Sequence, residues 1–287
     1  MRDVESDVRP AEGPTRRPDA DGRRKNTPMQ RQEQVAEYVL HSGRVSAKDL
    51  AAVFDVSAMT IHRDLDELEH QGVLRKVRGA AEPQPTSLFE SNVRYRIRAS
   101  MVEKEAICRH AMRQIQPGQA VMLDDSTTTL PLVRHLHELT PLTVITHFLT
   151  TVNELRGVKG LKLTMLGGEY LPSHDAFVGL GCEEAIASLR ADVLFMSVPA
   201  VSECNAMHQE QDIVRIKRAL MASAKRKVLL VDHNKIGKSA LHLLAPLSEF
   251  DLVIIDSGID NETLERLRDC SANIEVASML PAPHPGS

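Results

Sequence analysis

Apolar residues recur at helical spacing between Arg31 and His41, where Val35, Tyr38 and Val39 share a face, and Gly43 then breaks the pattern. Ser46-Ala47-Lys48-Asp49 predicts the start of a second helix: the Ser46 hydroxyl can cap free backbone N–H groups while Asp49 reaches back, and Leu50, Ala51 and Val53 supply an apolar side. Phe54-Asp55-Val56 reads as a turn. Ser57 to Leu65 then reads as the capped start of a third helix that buries Ile61 and Leu65. From Val73 to Ala80 the period changes to two, with Val73, Arg75 and Val77 alternating with Leu74, Lys76 and Arg78 before Gly79, which predicts a two-stranded hairpin. Helix, short helix, tight turn, capped third helix and hairpin make a winged helix-turn-helix, whose third helix offers its N-terminal residues to base edges in a DNA major groove. The candidate readers are Ser57, Thr60, His62 and Arg63; Arg63 suits a bidentate pair with guanine. Arg75, Lys76 and Arg78 of the wing suit phosphates, a salt-sensitive and sequence-blind attraction.

Past a linker rich in proline, serine and threonine the pattern changes again. A helix carrying Val102, Ala106, Ile107, Ala111 and Ile115 ends at Pro117-Gly118. Strands are then expected over 120–123, 142–146, 161–166, 193–198, 227–231 and 252–256, and helices over 127–136, 149–155, 183–189, 213–224 and 262–269. Such alternation calls for a largely parallel sheet covered on both faces, with ligands beyond the carboxyl ends of its strands. Three strand-end loops carry the chemistry. Asp124-Asp125-Ser126-Thr127-Thr128-Thr129 brings hydroxyls and free N–H groups to one point, which suits a phosphate or serves only as a helix cap. Gly167-Gly168 permits close backbone approach to a ligand, or a tight turn. Asp232-His233-Asn234-Lys235-Ile236-Gly237 offers Lys235 to an anion and Asp232 to sugar hydroxyls.

The expected organisation is therefore a tail over 1–27, a winged helix-turn-helix over 28–82, a linker over 83–100 and an α/β domain over 101–280. A chain of 287 residues with 42% apolar composition has room for two such cores. Charge adds placement rather than sum. The span 28–82 holds seven basic and nine acidic residues, but Asp66, Glu67 and Glu69 fall late in the third helix, away from Arg63 and the wing. A net charge of −4 argues against bulk polyanion binding and for a local contact. No apolar run is long enough to span a membrane, and the mixed-charge N-terminus is no secretory signal, so a cytoplasmic location is expected. Cys108, Cys182, Cys204 and Cys270 show no paired spacing and are expected as free thiols, with neither metal nor cofactor. Two motifs are rejected. His62-Arg63-Asp64-Leu65 copies part of a protein-kinase catalytic loop but lacks its asparagine and the other kinase signatures. Gly179-Leu180-Gly181 lacks the third glycine of a dinucleotide fingerprint, which is Glu184 here, and no strand is expected before it.

Arg31, Val35 and Val39, followed by Ser57, Thr60, Ile61, His62, Arg63, Asp64 and Leu65, resemble in type and separation the N-terminal signature of the DeoR family of bacterial transcriptional regulators. The wing is similar too, with Val77-Arg78-Gly79 where the family commonly ends in His-Gly-Gly. The resemblance continues through residues 101–256. It implies a sensor domain similar to ribose-5-phosphate isomerase that binds a phosphorylated sugar or sugar-like effector, and a homo-oligomer, a dimer or higher, on double-stranded operator DNA. The family's phosphate loop, Asp-x-Gly-Ser/Thr-Thr, corresponds to Asp124, Asp125, Ser126, Thr127 and Thr128, with Ser126 replacing glycine. Thr146-His147 stands where Thr-Asn is usual. Gly167-Gly168, Lys217 in Lys217-Arg218-Ala219-Leu220-Met221, and Asp232-x-x-Lys235-x-Gly237 follow the pattern, whereas Ser197-Val198-Pro199-Ala200 replaces a glycine-containing stretch. The resemblance implies a repressor of carbohydrate genes rather than an enzyme. The alternatives are an isomerase-like enzyme with an appended DNA-binding module, using Asp232 or His147 as base, and a sensor of an unphosphorylated polyol.

Overall fold

A computed structural model describes residues 28–70, 73–83, 93–270 and 273–279. The tail expected over 1–27 lies outside these residues, as do residues 84–92 of the linker. In the first unit α1 (Pro28–Ser42), α2 (Ala47–Val53) and α3 (Ala58–His70) enclose one core, with Val35, Val39, Leu50, Ile61, Leu65 and Leu68 all buried. Tyr38 packs edge-on against Phe54 from the rim, with ring centroids 6.0 Å apart. Asp64 is buried on the inner side of α3, where it accepts from Arg31 Nε at 2.6 Å and Gln32 Nε2 at 3.1 Å. That bond holds the Arg31 guanidinium above its ordinary pKa and fixes α1 across α3.

The wing is larger than the sequence suggests. β2 (Leu74–Val77) and β3 (Ala80–Pro83) pair antiparallel around Gly79, whose φ of +74° suits a residue without a side chain. A two-residue strand, β1 (Val45–Ser46), adds to β3 and makes three strands. Its brevity hid it: two residues carry no period.

The linker expected over 83–100 contains a helix, α4 (Val93–Arg98), before α5 (Met101–Ala111). Seven parallel strands follow in one sheet, in the order β15 (Ile274–Ala277), β14 (Leu252–Asp256), β12 (Ala224–Val231), β9 (Ala191–Met196), β4 (Ala120–Leu123), β5 (Leu142–Thr146) and β6 (Leu161–Met165). Consecutive residues of the central strands enter two different cores. Val121, Leu123, Val193, Phe195, Val228 and Leu230 pack on one face, and Met122, Leu194, Met196, Leu229 and Val231 on the other. A one-residue slip would exchange both sets, so hydrocarbon fixes the register and with it the height of every strand-end loop.

The helices α6 (Leu130–His135), α7 (Leu149–Leu155), α8 (Leu180–Ala187), α9 (Gln211–Ser223) and α10 (Asn261–Cys270) accompany the sheet. α6 begins later than the expected 127, because Thr127 and Thr128 sit in a turn and Thr129 bonds back to the Ser126 carbonyl at 2.7 Å. Three small additions went unpredicted. They are the hairpin β7 (Glu169–Leu171) with β8 (Ala176–Val178), the antiparallel sheet of β10 (Ala200–Ser202), β11 (Asn205–His208) and β13 (His242–Pro246), and the edge strand β15. β8 does precede Gly179-Leu180-Gly181, so only the missing third glycine stands against that motif. Cys204 and Cys270 are joined, with Cα atoms 5.3 Å apart, where free thiols were expected; Cys108 and Cys182 are free and buried.

Candidate functional site

The start of α3 is an exposed polar ridge. Ser57 caps it, accepting from the Thr60 amide at 3.1 Å, and the two hydroxyls meet at 2.8 Å. Ser57 and Thr60 are therefore engaged with the helix end itself. His62 and Arg63 are exposed and have no partner among the described residues. Met59 is 74% exposed beside them, a large apolar side chain that core-based reading of the sequence passed over. The wing bases divide. Arg75 is paired with Glu82, and Lys76 with Asp66, while Arg78 is exposed without an ion pair among the described residues. Two of the three wing cations are thus partly neutralised from within the unit.

A second cluster lies over the carboxyl ends of the central strands. A cleft of about 240 Å³ is lined by Ser126, Thr127 and Thr128 after β4, Ser197 after β9, Asp232 and Lys235 after β12, and Lys217 of α9. Its floor is ionic. Lys217, fully buried, meets Asp124 at 2.5 Å and Asp125 at 3.0 Å. Asp124 also accepts from the Ser126 amide and the Ser197 amide, both at 3.0 Å, so it ties two strand-end loops to α9. Burial opposes the charge on Lys217, but the two carboxylates outweigh it and hold the ammonium above its ordinary pKa. Burial likewise opposes ionisation of Asp125, and Lys217 and His147 pull it well below the usual carboxylate range.

The rim is cationic, and part of it was not foreseen. Lys235 Nζ reaches Thr128 Oγ1 at 2.9 Å, Asp232 at 3.1 Å and Ser197 Oγ at 3.3 Å. Lys104, on α5, is 3% exposed and donates to Thr127 Oγ1 at 3.1 Å and to the Arg96 carbonyl. Thr127 Oγ1 donates to that same carbonyl at 3.0 Å, so α4 is gripped from two sides. No carboxylate pairs with Lys104 among the described residues. Burial, with the nearby Lys235 charge, lowers its pKa to about 7. The signal was legible: Lys104, Ile107, Cys108 and Ala111 share the buried face of α5, where a lysine is out of place unless it has work. Val102, expected on that face, is 62% exposed instead.

Other expected residues fall elsewhere. His147 is wholly buried behind Asp125, its Nε2 3.7 Å away, and is not on the cleft wall. Gly167 and Gly168 are also off the wall; a Cβ on Gly168 would stand 2.3 Å from the Val178 carbonyl oxygen, so the hairpin, not a ligand, demands that glycine. Arg96, His174 and His208 line the cleft unanticipated, because they are scattered over three elements with no shared spacing.

A family model described as the DeoR-like helix-turn-helix domain matches residues 31–84, and one described as the DeoR C terminal sensor domain matches residues 99–257. The chain belongs to the DeoR family. It is a DNA-binding transcriptional regulator, with the ridge on the first domain and the cleft on the sensor. An HTH-type transcriptional regulator, YgbI, of Escherichia coli (strain K12) is 32% identical over 250 residues, covering 87% of this chain and 98% of its own. The glycerol-3-phosphate regulon repressor of the same strain is 27% identical over 248 residues, 86% of this chain and 98% of its own. Among solved structures, ribose 5-phosphate isomerase A from Methanocaldococcus jannaschii aligns with a TM-score of 0.34 and 16% identity over 46% of this chain and 53% of its own. At that score the DeoR assignment rests on the family models and the relatives, not on the isomerase. No helix among the described residues is long and apolar enough to cross a membrane.

Proposed function

We propose that this DeoR-family chain is an operator-binding repressor of carbohydrate genes, released or retained by a phosphorylated sugar or polyol seated in the cleft. The observation that carries the effector reading is the pair of ammonium groups set on adjacent hydroxyls, Lys104 on Thr127 and Lys235 on Thr128. Two cations and two hydroxyls around one turn make an anion seat, and a phosphate offers the acceptors to match. Asp232 supports Lys235 from behind. The relative that represses the glycerol-3-phosphate regulon points to the same chemistry.

A sensor fits better than an enzyme. Of the two bases considered for an isomerase, His147 is sealed behind Asp125, and Asp232, though on the cleft wall, is ion-paired with Lys235 and held below the usual carboxylate range, which makes it a poor proton acceptor. On the DNA side, His62 and Arg63 are assigned to base edges, with Ser57 and Thr60 shaping the helix end and meeting phosphates. The assembly is read as a homo-oligomer in the cytoplasm, since two half-sites one helical turn apart match a two-fold protein.

The test is a gel-shift titration of the full chain on its own promoter and on scrambled duplex at physiological salt, with and without a panel of pentose, hexose and polyol phosphates. Preference for the promoter that one of these phosphates alters is expected. No preference under any condition overturns the reading, and turnover of a sugar phosphate by the purified chain would replace the sensor with an enzyme. The wing makes a separate prediction. Arg78→Ala is expected to reduce the slope of log affinity against log salt by about one, roughly one phosphate contact. Arg75→Ala, already tied to Glu82, is expected to change it much less. Equal changes would show that the Glu82 pair opens on DNA.

A further inference from the structure

The cleft has a wall that no anion needs. His208, the last residue of β11, is 4% exposed and lines it, and His174 stands alongside with ring centroids 5.9 Å apart. The Glu210 backbone N–H donates to His208 Nδ1 at 3.0 Å. A ring nitrogen that accepts cannot carry the proton, so the neutral imidazole of His208 is the tautomer with hydrogen on Nε2. Burial, with the Lys217 charge, holds the ring well below its ordinary pKa, which keeps it neutral. Nε2 has no hydrogen-bond partner among the described residues. On a residue that lines the cleft, that N–H is a donor for a ligand oxygen.

The occupant follows from the charges nearby. Lys217 in this wall is already neutralised by Asp124 and Asp125, His174 is held to about 4, chiefly by burial, so it too is uncharged at neutral pH, and the Arg96 guanidinium, also on the cleft, bears on both imidazoles. The neutral His208 ring offers a hydrogen bond without a charge, which suits an uncharged oxygen, whereas Lys104 and Lys235 offer charge at the phosphate loop. We propose that His208 is a specificity-determining residue: its Nε2–H donates to an uncharged oxygen, a hydroxyl or carbonyl, on the carbon chain of the effector. This rests on the anion seat described above and divides the ligand into two parts, a phosphate for the lysines and a hydroxylated chain for the histidine.

Binding and tautomer measurements on the full chain decide it. Calorimetry is run with inorganic phosphate, glycerol 3-phosphate, glucitol 6-phosphate and uncharged glucitol, and a long-range proton–nitrogen spectrum reports the His208 tautomer without any ligand. The expected result is an Nε2–H tautomer at pH 7, together with a polyol phosphate that binds more tightly than inorganic phosphate. His208→Phe should remove that advantage, a loss of about 10-fold or more, while leaving inorganic phosphate within twofold, and His208→Gln, whose amide can donate from the same place, should restore part of it. Operator binding by each variant checks that the chain is folded. If His208→Phe weakens both classes of phosphate equally, or neither, the assignment is wrong, as it is if the proton resides on Nδ1. If phosphates do not bind but glucitol binds in a His208-dependent way, the anion seat fails and the histidine stands. If none of the four binds, both fall.

Discussion

Arg63→Ala is expected to abolish discrimination between operator and random duplex while leaving effector affinity of the sensor domain unchanged. Arg63 is exposed in the first turns of α3, and its guanidinium has no partner among the described residues that it must leave before meeting a base. A bidentate pair with guanine contributes about 1–3 kcal/mol of discrimination, so specific affinity should fall about 10- to 100-fold, more steeply than non-specific affinity. The neighbouring Asp64 provides the contrast. It is buried against Arg31 and Gln32, so Asp64→Ala should loosen the packing of α1 on α3 rather than alter base preference. Competition gel shifts with a footprint on the promoter measure the first effect. An unchanged footprint for Arg63→Ala would remove Arg63 from the reading set.

Lys104→Met is expected to keep operator binding and lose most of the effector response. The substitution keeps an unbranched apolar chain on the buried face of α5 and deletes one charge-assisted hydrogen bond to the anion, worth about 1.5–3 kcal/mol, or roughly 10- to 100-fold in affinity. Its pH signature is specific. In the empty cleft Lys104 is held at about 7, and a bound anion favours the ammonium form, raising that value. Binding therefore draws in a proton, and effector affinity is expected to fall as pH rises from 7 toward 9, by up to about tenfold per unit. A phosphate monoester, with its second pKa near 6, is already dianionic over that window, so the slope belongs to the lysine. Calorimetry in two buffers of different ionisation enthalpy reads the proton uptake. Uptake equal in wild type and Lys104→Met would assign it to another group.

The DNA-binding unit was legible because capping, glycine breaks and apolar spacing all act within a few residues, and Ser46, Ser57, Ile61 and Leu65 behave locally as their chemistry suggests. The parallel strands were legible as apolar runs, and from them the strand-end loops at Asp124 and Asp232, whereas Ser197 fell inside the strand expected over 193–198, which ends at Met196. What escaped depends on distance in space. Lys104 stood out as a lysine on an apolar helix face, but its partner needed the knowledge that α5 turns that face toward Thr127. The three-residue strands β7, β8 and β10 are too short to show a period. His174 and His208 meet only because the hairpin and the small antiparallel sheet fold toward one cleft. The wing ion pairs of Arg75 and Lys76 were equally invisible, since their carboxylates come from β3 and α3.

The alternation of side chains between the two cores bears on how such regulators diversify. Each central strand is pinned on both faces by buried hydrocarbon, yet the residue just past its last paired position belongs to neither core. Asp124, Ser197 and Asp232 occupy those positions. Ser197 and Asp232 face the cleft and can be exchanged without disturbing the pleat beneath, whereas Asp124, buried under Lys217, is part of the scaffold that such an exchange would leave whole.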